Sequence, residues 1–357
     1  MALTSYELIE CPSGNYYGYL SHQGGLKRLI ELRGPKAHNE GLAHQIYLAF
    51  RVGEILAALG KGESTFLSKP DWKALSRHSG FDSRFEELLD IFVEAPAILQ
   101  AANALHGLES FALADGCLDV AERLWAVDEK LQQFYDKLKI GTPGSLYTPK
   151  FARECTGDNA EDDSQNHNPF PIAFHFSNLR MASTMMWYWS LCNIVWSGLL
   201  ECYFHLERTF QIHHMDVSLL SKQYASHTPQ EVTATCECKD CSLSSKEERD
   251  HMMRSIVKRV ARLPPLDHRK GYLDMVWNVC QSVEYCMQDS MLGAGPAALS
   301  GVLSIARITL QKHQPQRARE LGWVKNVRRR ASERGLRFIG FVTVWDDYAE
   351  DLSRKSW

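Results

Sequence analysis

The sequence predicts an all-α fold, a multi-helix bundle of orthogonal and antiparallel helices around one long, buried central helix. Apolar residues recur at spacings of three and four in successive segments of the 357 residues. No alternation of apolar and polar residues, the pattern of a half-buried strand, is sustained anywhere. Gly and Pro follow the periodic segments where helices usually end.

The first part of the helical region, residues 21–140, contains four predicted helices. Residues 21–33 form the first, which Gly34-Pro35 ends, and residues 41–59 form the second, with Gly60 as its stop. Helices at 85–105, with a break at Pro96, and at 112–138 follow the same spacing.

The central helix is predicted at residues 176–210, after a polar surface connection at 141–171. Its stretch 181–200 carries no charge and is long enough to cross a bilayer. Its Ser, Thr and Asn residues, and its Trp residues in mid-segment rather than at the ends, favour a buried helix over a membrane span. We therefore predict no membrane contact.

The remaining segments complete the predicted organisation. Residues 1–20 form an N-terminal edge segment, and residues 21–357 form one helical domain whose second part is 172–357. A polar loop at 226–249 precedes four more predicted helices, at 250–263, 272–291, 296–312 and 317–335. Residues 336–344 are the one segment predicted to be extended.

Charge and cysteine content restrict the class of protein. The 40 Lys and Arg residues nearly balance 43 Asp and Glu, so no overall positive field draws the chain to nucleic acid. Ten Cys without a secretory leader indicate reduced thiols in the nucleus or cytoplasm. The sequence shows no nucleotide loop, Gly-x-Ser-x-Gly elbow or dinucleotide fingerprint, and we predict no cofactor.

One cysteine cluster has metal-like spacing. Cys236, Cys238 and Cys241 lie within six residues and, with His227 or His251, would complete a tetrahedral zinc site. The spacing is not that of a standard zinc finger, and no second Cys pair accompanies it. Free surface thiols are the favoured interpretation.

Aromatic and polar residues of the later helices are the candidates for a ligand pocket. Helical spacing places aromatic side chains either around a flat apolar ligand or in an ordinary core, and the core is the favoured interpretation. The candidate lining residues are Trp187, Tyr188, Asn193, Trp196, Tyr203, Trp277 and Tyr285. His205 and Glu284 are the weak candidates for an acid or base beside such a pocket.

Several segments together resemble a known regulatory family. Residues 22–35 read His-Gln-Gly-Gly-Leu-Lys-Arg-Leu-Ile-Glu-Leu-Arg-Gly-Pro, and residues 42–51 form the next apolar helix. Phe66-Leu67 with Trp72, and the aromatic helix at 176–200, continue the pattern. The chain resembles the fungal-specific transcription factor domain, the regulatory domain of zinc-cluster transcription factors that carry two zinc ions on six cysteines.

The resemblance lacks the family's DNA-binding module. No six-cysteine array precedes the His22 segment, so we expect no direct sequence-specific DNA binding. The resemblance implies a regulator tied to a fungal specialised-metabolite gene cluster. It implies an apolar small-molecule effector as ligand, and a homodimer or a heterodimer with full-length regulators. The alternatives are a helical enzyme that cyclises or isomerises a metabolite, and a paralogue that blocks its partner.

Overall fold

The computed structural model of the chain describes residues 16–75, 83–153, 169–212 and 246–333. These ranges are essentially all-α, with two short strands, which confirms the predicted fold class. Segments 1–15 and 336–344 lie outside the described residues. The elements are numbered below in chain order.

Helices α1 (Tyr16–Arg33) and α2 (Gly41–Lys61) form the first helical pair, joined by a 3-10 turn at Pro35–His38. Gly34 stands between them with a φ of 72°, a left-handed conformation that costs glycine no Cβ strain. The two predicted helices are confirmed, and each extends a few residues beyond its predicted bounds.

Three short helices follow: α3 (Pro70–Lys73), α4 (Ser83–Phe92) and α5 (Ala95–Asn103). The helix predicted at 85–105 is therefore two helices. Pro96 lies in the first turn of α5, where its missing N–H costs nothing, but it cannot continue the hydrogen bonds of α4. The predicted break is confirmed.

The core is built on α6 (Ser110–Ile140) and α7 (Leu179–Ile212), which run antiparallel. Near the start of α7, Tyr188 stacks on Tyr135 of α6 with ring centroids 5.1 Å apart. Further along α7, Gly198 faces Leu124, and a Cβ at Gly198 would lie 3.1 Å from a Leu124 methyl carbon. Most side chains of α7 are buried, as predicted for the central helix.

A two-stranded antiparallel hairpin connects these two helices. Strand β1 (Thr148–Phe151) pairs with β2 (Ile172–His175), with Thr148 opposite His175. All four β1 side chains are exposed, in agreement with a surface connection, while β2 buries Ala173 and Phe174. Strands of four residues are too short to show the alternation that predicts a strand from sequence.

The last part contains α8 (Lys246–Val260), α9 (Tyr272–Gln281), α10 (Val283–Cys286), α11 (Ala294–Lys312) and α12 (Ala318–Glu333). The single helix predicted at 272–291 is interrupted after Gln281. The buried Ser282 hydroxyl donates to the Asn278 carbonyl at 2.8 Å, a local bond that often bends a helix.

Among the helices in the described ranges, α2 is long and apolar enough to cross a membrane by length and composition. It also carries Arg51 and Glu54, whose side chains are buried and paired with charges from neighbouring elements. Core helices of a bundle have this pattern.

Candidate functional site

The residues predicted to line a pocket do not converge on one site. Trp187 packs on Phe92 of α4 with ring centroids 5.4 Å apart, whereas the neighbouring Tyr188 stacks on Tyr135 of α6. Successive residues of a helix point about 100° apart, so these two rings face different helices. Both are buried and belong to the core.

Asn193 and Trp277 contact partners that differ from those of Trp187 and Tyr188. The Asn193 amide donates to the Thr309 hydroxyl of α11 at 2.8 Å. Trp277 of α9 makes an edge contact with Phe170, 5.9 Å between centroids, and carries the Arg317 guanidinium 5.2 Å above its ring. Neither side chain is directed toward a space shared with Trp187 or Tyr188.

The two catalytic candidates lie at opposite ends of α7. Glu284 accepts a hydrogen bond of 2.8 Å from the Arg153 backbone N–H, and its neighbour Tyr285 packs on Phe176, just before α7 begins. His205 lies near the other end, about 40 Å along the helix, where its Nε2 is 3.4 Å from a Glu201 carboxylate oxygen. The two residues do not share a site.

Trp196, by contrast, enters a polar cluster that we name the Asp128 cluster. Its indole N–H donates to Oδ1 of Asp128 at 2.6 Å. Arg269, from the turn at Asp267–Gly271, donates to Oδ2 through Nε at 2.9 Å and Nη2 at 2.6 Å. Asp128 is only 4% exposed, so its charge is compensated inside the protein.

Tyr203 belongs to the same cluster. Its hydroxyl accepts from the Trp125 indole at 3.2 Å and donates to the Pro264 carbonyl at 2.5 Å. Burial raises the pKa of Tyr203, which keeps the hydroxyl protonated as this bond requires. The Arg269 guanidinium lies 4.6 Å above the Trp125 ring, a cation–π contact that completes the cluster.

The Asp128 cluster is built to hold elements together. Oδ1 of Asp128 accepts from the Trp196 indole and Oδ2 from the Arg269 guanidinium, and neither donor group gives up a proton near neutral pH. It joins α6, α7 and the segment 264–271. Asp128, Trp125 and Arg269 were absent from the sequence prediction, since Asp128 and Arg269 are 141 residues apart and no local pattern links them.

A second cluster, the Arg51 cluster, lies among the segments that carry the family resemblance. The Arg51 side chain is fully buried and bonds Glu86 at 2.5 Å, and it also bonds Asp90. One turn further along α2, the buried Glu54 binds Lys27 of α1 at 2.6 Å and accepts from the Thr65 hydroxyl.

Tyr47 links α2 to α3. Its hydroxyl donates to the Trp72 carbonyl at 2.7 Å, and the two rings lie 5.7 Å apart. Burial raises the pKa of Tyr47 to about 12, although the nearby Arg51 opposes this shift. Burial likewise raises the pKa of Glu86 against the opposing effect of Arg51. The charged form of Glu86 is thus stabilised mainly by the Arg51 guanidinium.

Two histidines form hydrogen bonds across the turn between α1 and α2. His44 Nδ1 lies 2.9 Å from the His38 carbonyl, and His38 Nδ1 lies 3.2 Å from the Ala43 carbonyl. A carbonyl only accepts, so both Nδ1 atoms carry hydrogen. The Nε2 atoms of both rings are buried without a hydrogen-bond partner. The turn between α1 and α2 therefore contains two buried ring nitrogens whose hydrogen-bonding capacity is not used.

The cysteine candidates for a metal site, Cys236, Cys238 and Cys241, lie outside the described residues. Within the described ranges, no group of three or more His, Cys, Asp and Glu side chains is arranged to hold a metal ion. The described thiols are buried, and burial raises the pKa of Cys286 to about 12, which makes it a poor nucleophile.

Comparison with known proteins adds one fungal relative without a described activity. The "Uncharacterized protein AN5342" of Emericella nidulans is 41% identical over 76 residues, which cover 21% of this chain and 16% of that protein. The match thus spans about a sixth of the relative's length. No protein-family model and no solved structure matches the chain.

Proposed function

We propose that this chain is a transcription-factor-like regulatory protein that acts through protein contacts or an apolar effector rather than through its own zinc cluster. One observation carries the proposal. Segments that resemble the fungal transcription factor domain contact one another: the Tyr47 hydroxyl donates to the Trp72 carbonyl, and the Phe50 ring stacks on Phe66. Residues of a shared motif are expected to contact one another when the motif specifies a common fold.

The balance of charge supports the same proposal. Forty basic and 43 acidic residues leave no excess positive charge with which to hold DNA phosphates. A regulator of this kind, in the nucleus or cytoplasm, would work by pairing with itself or with a DNA-binding regulator.

The test is deletion of the gene in its fungal host. Transcripts of neighbouring genes and the metabolite profile are measured from the same cultures, with the wild-type gene reintroduced as the control. We expect transcripts and product to change together and to recover on reintroduction. Steady transcripts combined with an accumulated intermediate would contradict the regulatory proposal and indicate an enzyme.

A second proposal is an enzyme that cyclises or isomerises a metabolite. The observation that favours it is the Tyr272 hydroxyl, which lies 2.5 Å from Nε2 of His313. Burial raises the pKa of Tyr272, and the nearby Glu201 charge raises it further. Burial lowers the pKa of His313. Both groups are therefore neutral near neutral pH, and in the tautomer in which His313 Nε2–H donates to the Tyr272 oxygen, the phenol O–H is left to donate to a substrate. Turnover of a pathway intermediate that is lost in Tyr272→Phe would support this proposal.

A partner-blocking paralogue is the third function to test. Tagged chain is purified from its host, and co-purification of a full-length zinc-cluster regulator would support this proposal. Loss of that regulator's DNA binding on addition of the chain would distinguish a blocking partner from an activating one.

A further inference from the structure

Helix α1 carries large apolar side chains on two faces. Leu26 and Ile30 are buried in the core, whereas Leu29 and Leu32 are 45% and 68% exposed. Because successive residues of a helix point about 100° apart, Leu29 and Leu32 lie about 60° from each other on the solvent side. The exposed side of α1 therefore has an apolar centre that remains open to solvent.

Gly25 extends this exposed face by one turn. It precedes Leu29 by four residues, and a Cβ placed on it would meet no atom within 4 Å. Glycine inside a helix is less stable than alanine, so packing within the chain gives no reason for glycine here. A position without a side chain does let another backbone approach closely. Gly25, Leu29 and Leu32 are named the α1 ridge.

Two arginines flank the α1 ridge. The helical period places Arg28 along one edge of the ridge and Arg33 along the other. Both side chains are exposed, and neither forms an ion pair within the described residues. Glu31 is half-buried and projects about 120° away from the centre of the ridge. The ridge is thus apolar at its centre and positively charged along both edges.

We propose that the α1 ridge is the docking surface for an amphipathic helix of a partner protein, with apolar residues at its centre and Asp or Glu along both edges. Its apolar residues would cover Leu29 and Leu32, and its backbone would approach Gly25. Its acids would face Arg28 and Arg33, since an apolar centre with complementary charges at the rim is a common arrangement of helix recognition. The inference rests on the regulatory function proposed first and names the surface and the partner chemistry that it would use.

The flanking charges argue against a second copy of the chain as the occupant. In an antiparallel pair of α1 helices centred between Leu29 and Leu32, Arg28 of one copy would face Arg33 of the other, and like charges across an interface are unfavourable. An anionic membrane would attract both arginines, but it gives no reason for Gly25, and two leucines form a narrow apolar strip for insertion. A partner helix with acidic edges fits all three features of the ridge.

Fluorescence anisotropy with the full chain tests the docking surface. The probe is a labelled synthetic helix of about 20 residues with Leu at spacings of three and four and Glu on both flanks. A matched basic probe has Lys at every Glu position. We expect the wild type to bind the acidic probe more tightly than the basic one.

Shortening the two leucines should weaken that binding. Leu29→Ala combined with Leu32→Ala should raise the Kd for the acidic probe about tenfold or more, because both changes remove apolar contact area. Ile140→Ala is the matched control, since it shortens an 87%-exposed side chain at the end of α6 and should leave the Kd unchanged.

Charge reversal and Gly25 separate recognition from folding. Arg28→Glu combined with Arg33→Glu should reverse the preference, so that the variant binds the basic probe more tightly than the acidic one. Gly25→Ala should raise the Tm, because nothing in the chain obstructs its Cβ, and yet weaken binding of the acidic probe. A change that only damaged the fold would lower the Tm instead.

The proposal is overturned if the wild type binds neither probe, or binds the acidic probe no more tightly than the double leucine variant does. Binding to phosphatidylserine vesicles that is lost in Leu32→Ala would assign the ridge to a membrane surface instead. A dimer in sedimentation equilibrium that Leu32→Ala abolishes would assign it to a second copy. These measurements involve no transcripts, so their failure is distinct from failure of the regulatory function in the gene deletion.

Discussion

The Trp196 indole of α7 donates a 2.6 Å hydrogen bond to the buried Asp128 carboxylate of α6, and this bond ties the two longest helices together. Arg269 neutralises the same carboxylate from the turn before α9. Three parts of the chain that are distant in sequence therefore depend on one acid.

Replacement of Asp128 by Ala should destabilise the protein strongly. The change leaves Arg269, whose side chain is 16% exposed, without its counter-charge. Loss of one partner from a buried ion pair costs about 3–5 kcal/mol, so we expect the free energy of unfolding in urea to fall by that amount. Trp196→Phe, which removes one hydrogen bond to a charged group, should cost about 1.5–3 kcal/mol. Equal stability of Asp128→Ala and wild type would refute the role of this cluster.

Arg51→Met should be similarly costly. It keeps an unbranched apolar stem but removes the guanidinium that bonds Glu86 and Asp90, which are 12% and 19% exposed. We expect a loss of about 3–5 kcal/mol in the free energy of unfolding. Adding Glu86→Gln and Asp90→Asn should recover part of the loss, as a thermodynamic cycle would measure. Lys137→Met, at an exposed pair, should cost no more than about 1 kcal/mol.

Replacement of Gly301 by Ala should lower the stability of the protein. A Cβ at this position would lie 2.7 Å from the Trp187 ring and 2.9 Å from a Leu56 methyl carbon. Overpacking of this kind costs about 1–3 kcal/mol, which thermal unfolding would detect as a lower Tm. Gly322→Ala in α12 is the control, because its Cβ would meet no atom within 4 Å. That change should stabilise the helix by about 0.5–1 kcal/mol.

Glu94 should make part of the stability depend on pH. Burial disfavours its ionised form, but hydrogen bonds from Lys130 and Lys73 outweigh this effect and lower the pKa of Glu94. A carboxyl with a lowered folded-state pKa stabilises the protein above its unfolded pKa of about 4.3, and this contribution is lost as the pH falls. The Tm difference between wild type and Glu94→Gln should thus be largest near neutral pH and shrink below about pH 4.

Glu63→Gln provides the control for that measurement. Glu63 is exposed and forms no side-chain contact that the described structure records. Its replacement should leave the Tm difference from wild type flat across the same pH range. A Glu94→Gln difference that grows in acid would contradict the assigned direction of the shift.

Much of the helical layout follows from local sequence alone. Apolar spacing predicts α2 and α6, and Pro96 predicts the break between α4 and α5, because proline cannot supply the N–H that continues a helix. Strand β1 is not predicted from the sequence, because four residues show no internal pattern. Its pairing with β2 is what stabilises it.

The sequence by itself determined the longer helices and the buried character of α7, because periodicity and turn residues act within a few positions. Only the tertiary structure decided which side chains meet. Trp187 and Tyr188 have adjacent positions and different partners, whereas Asp128 and Arg269 are 141 residues apart and form an ion pair. Such contacts depend on how two packed helices are aligned along their axes and on how closely they approach, as at Gly198 and Gly301. No local sequence pattern encodes the alignment or the distance between two helices.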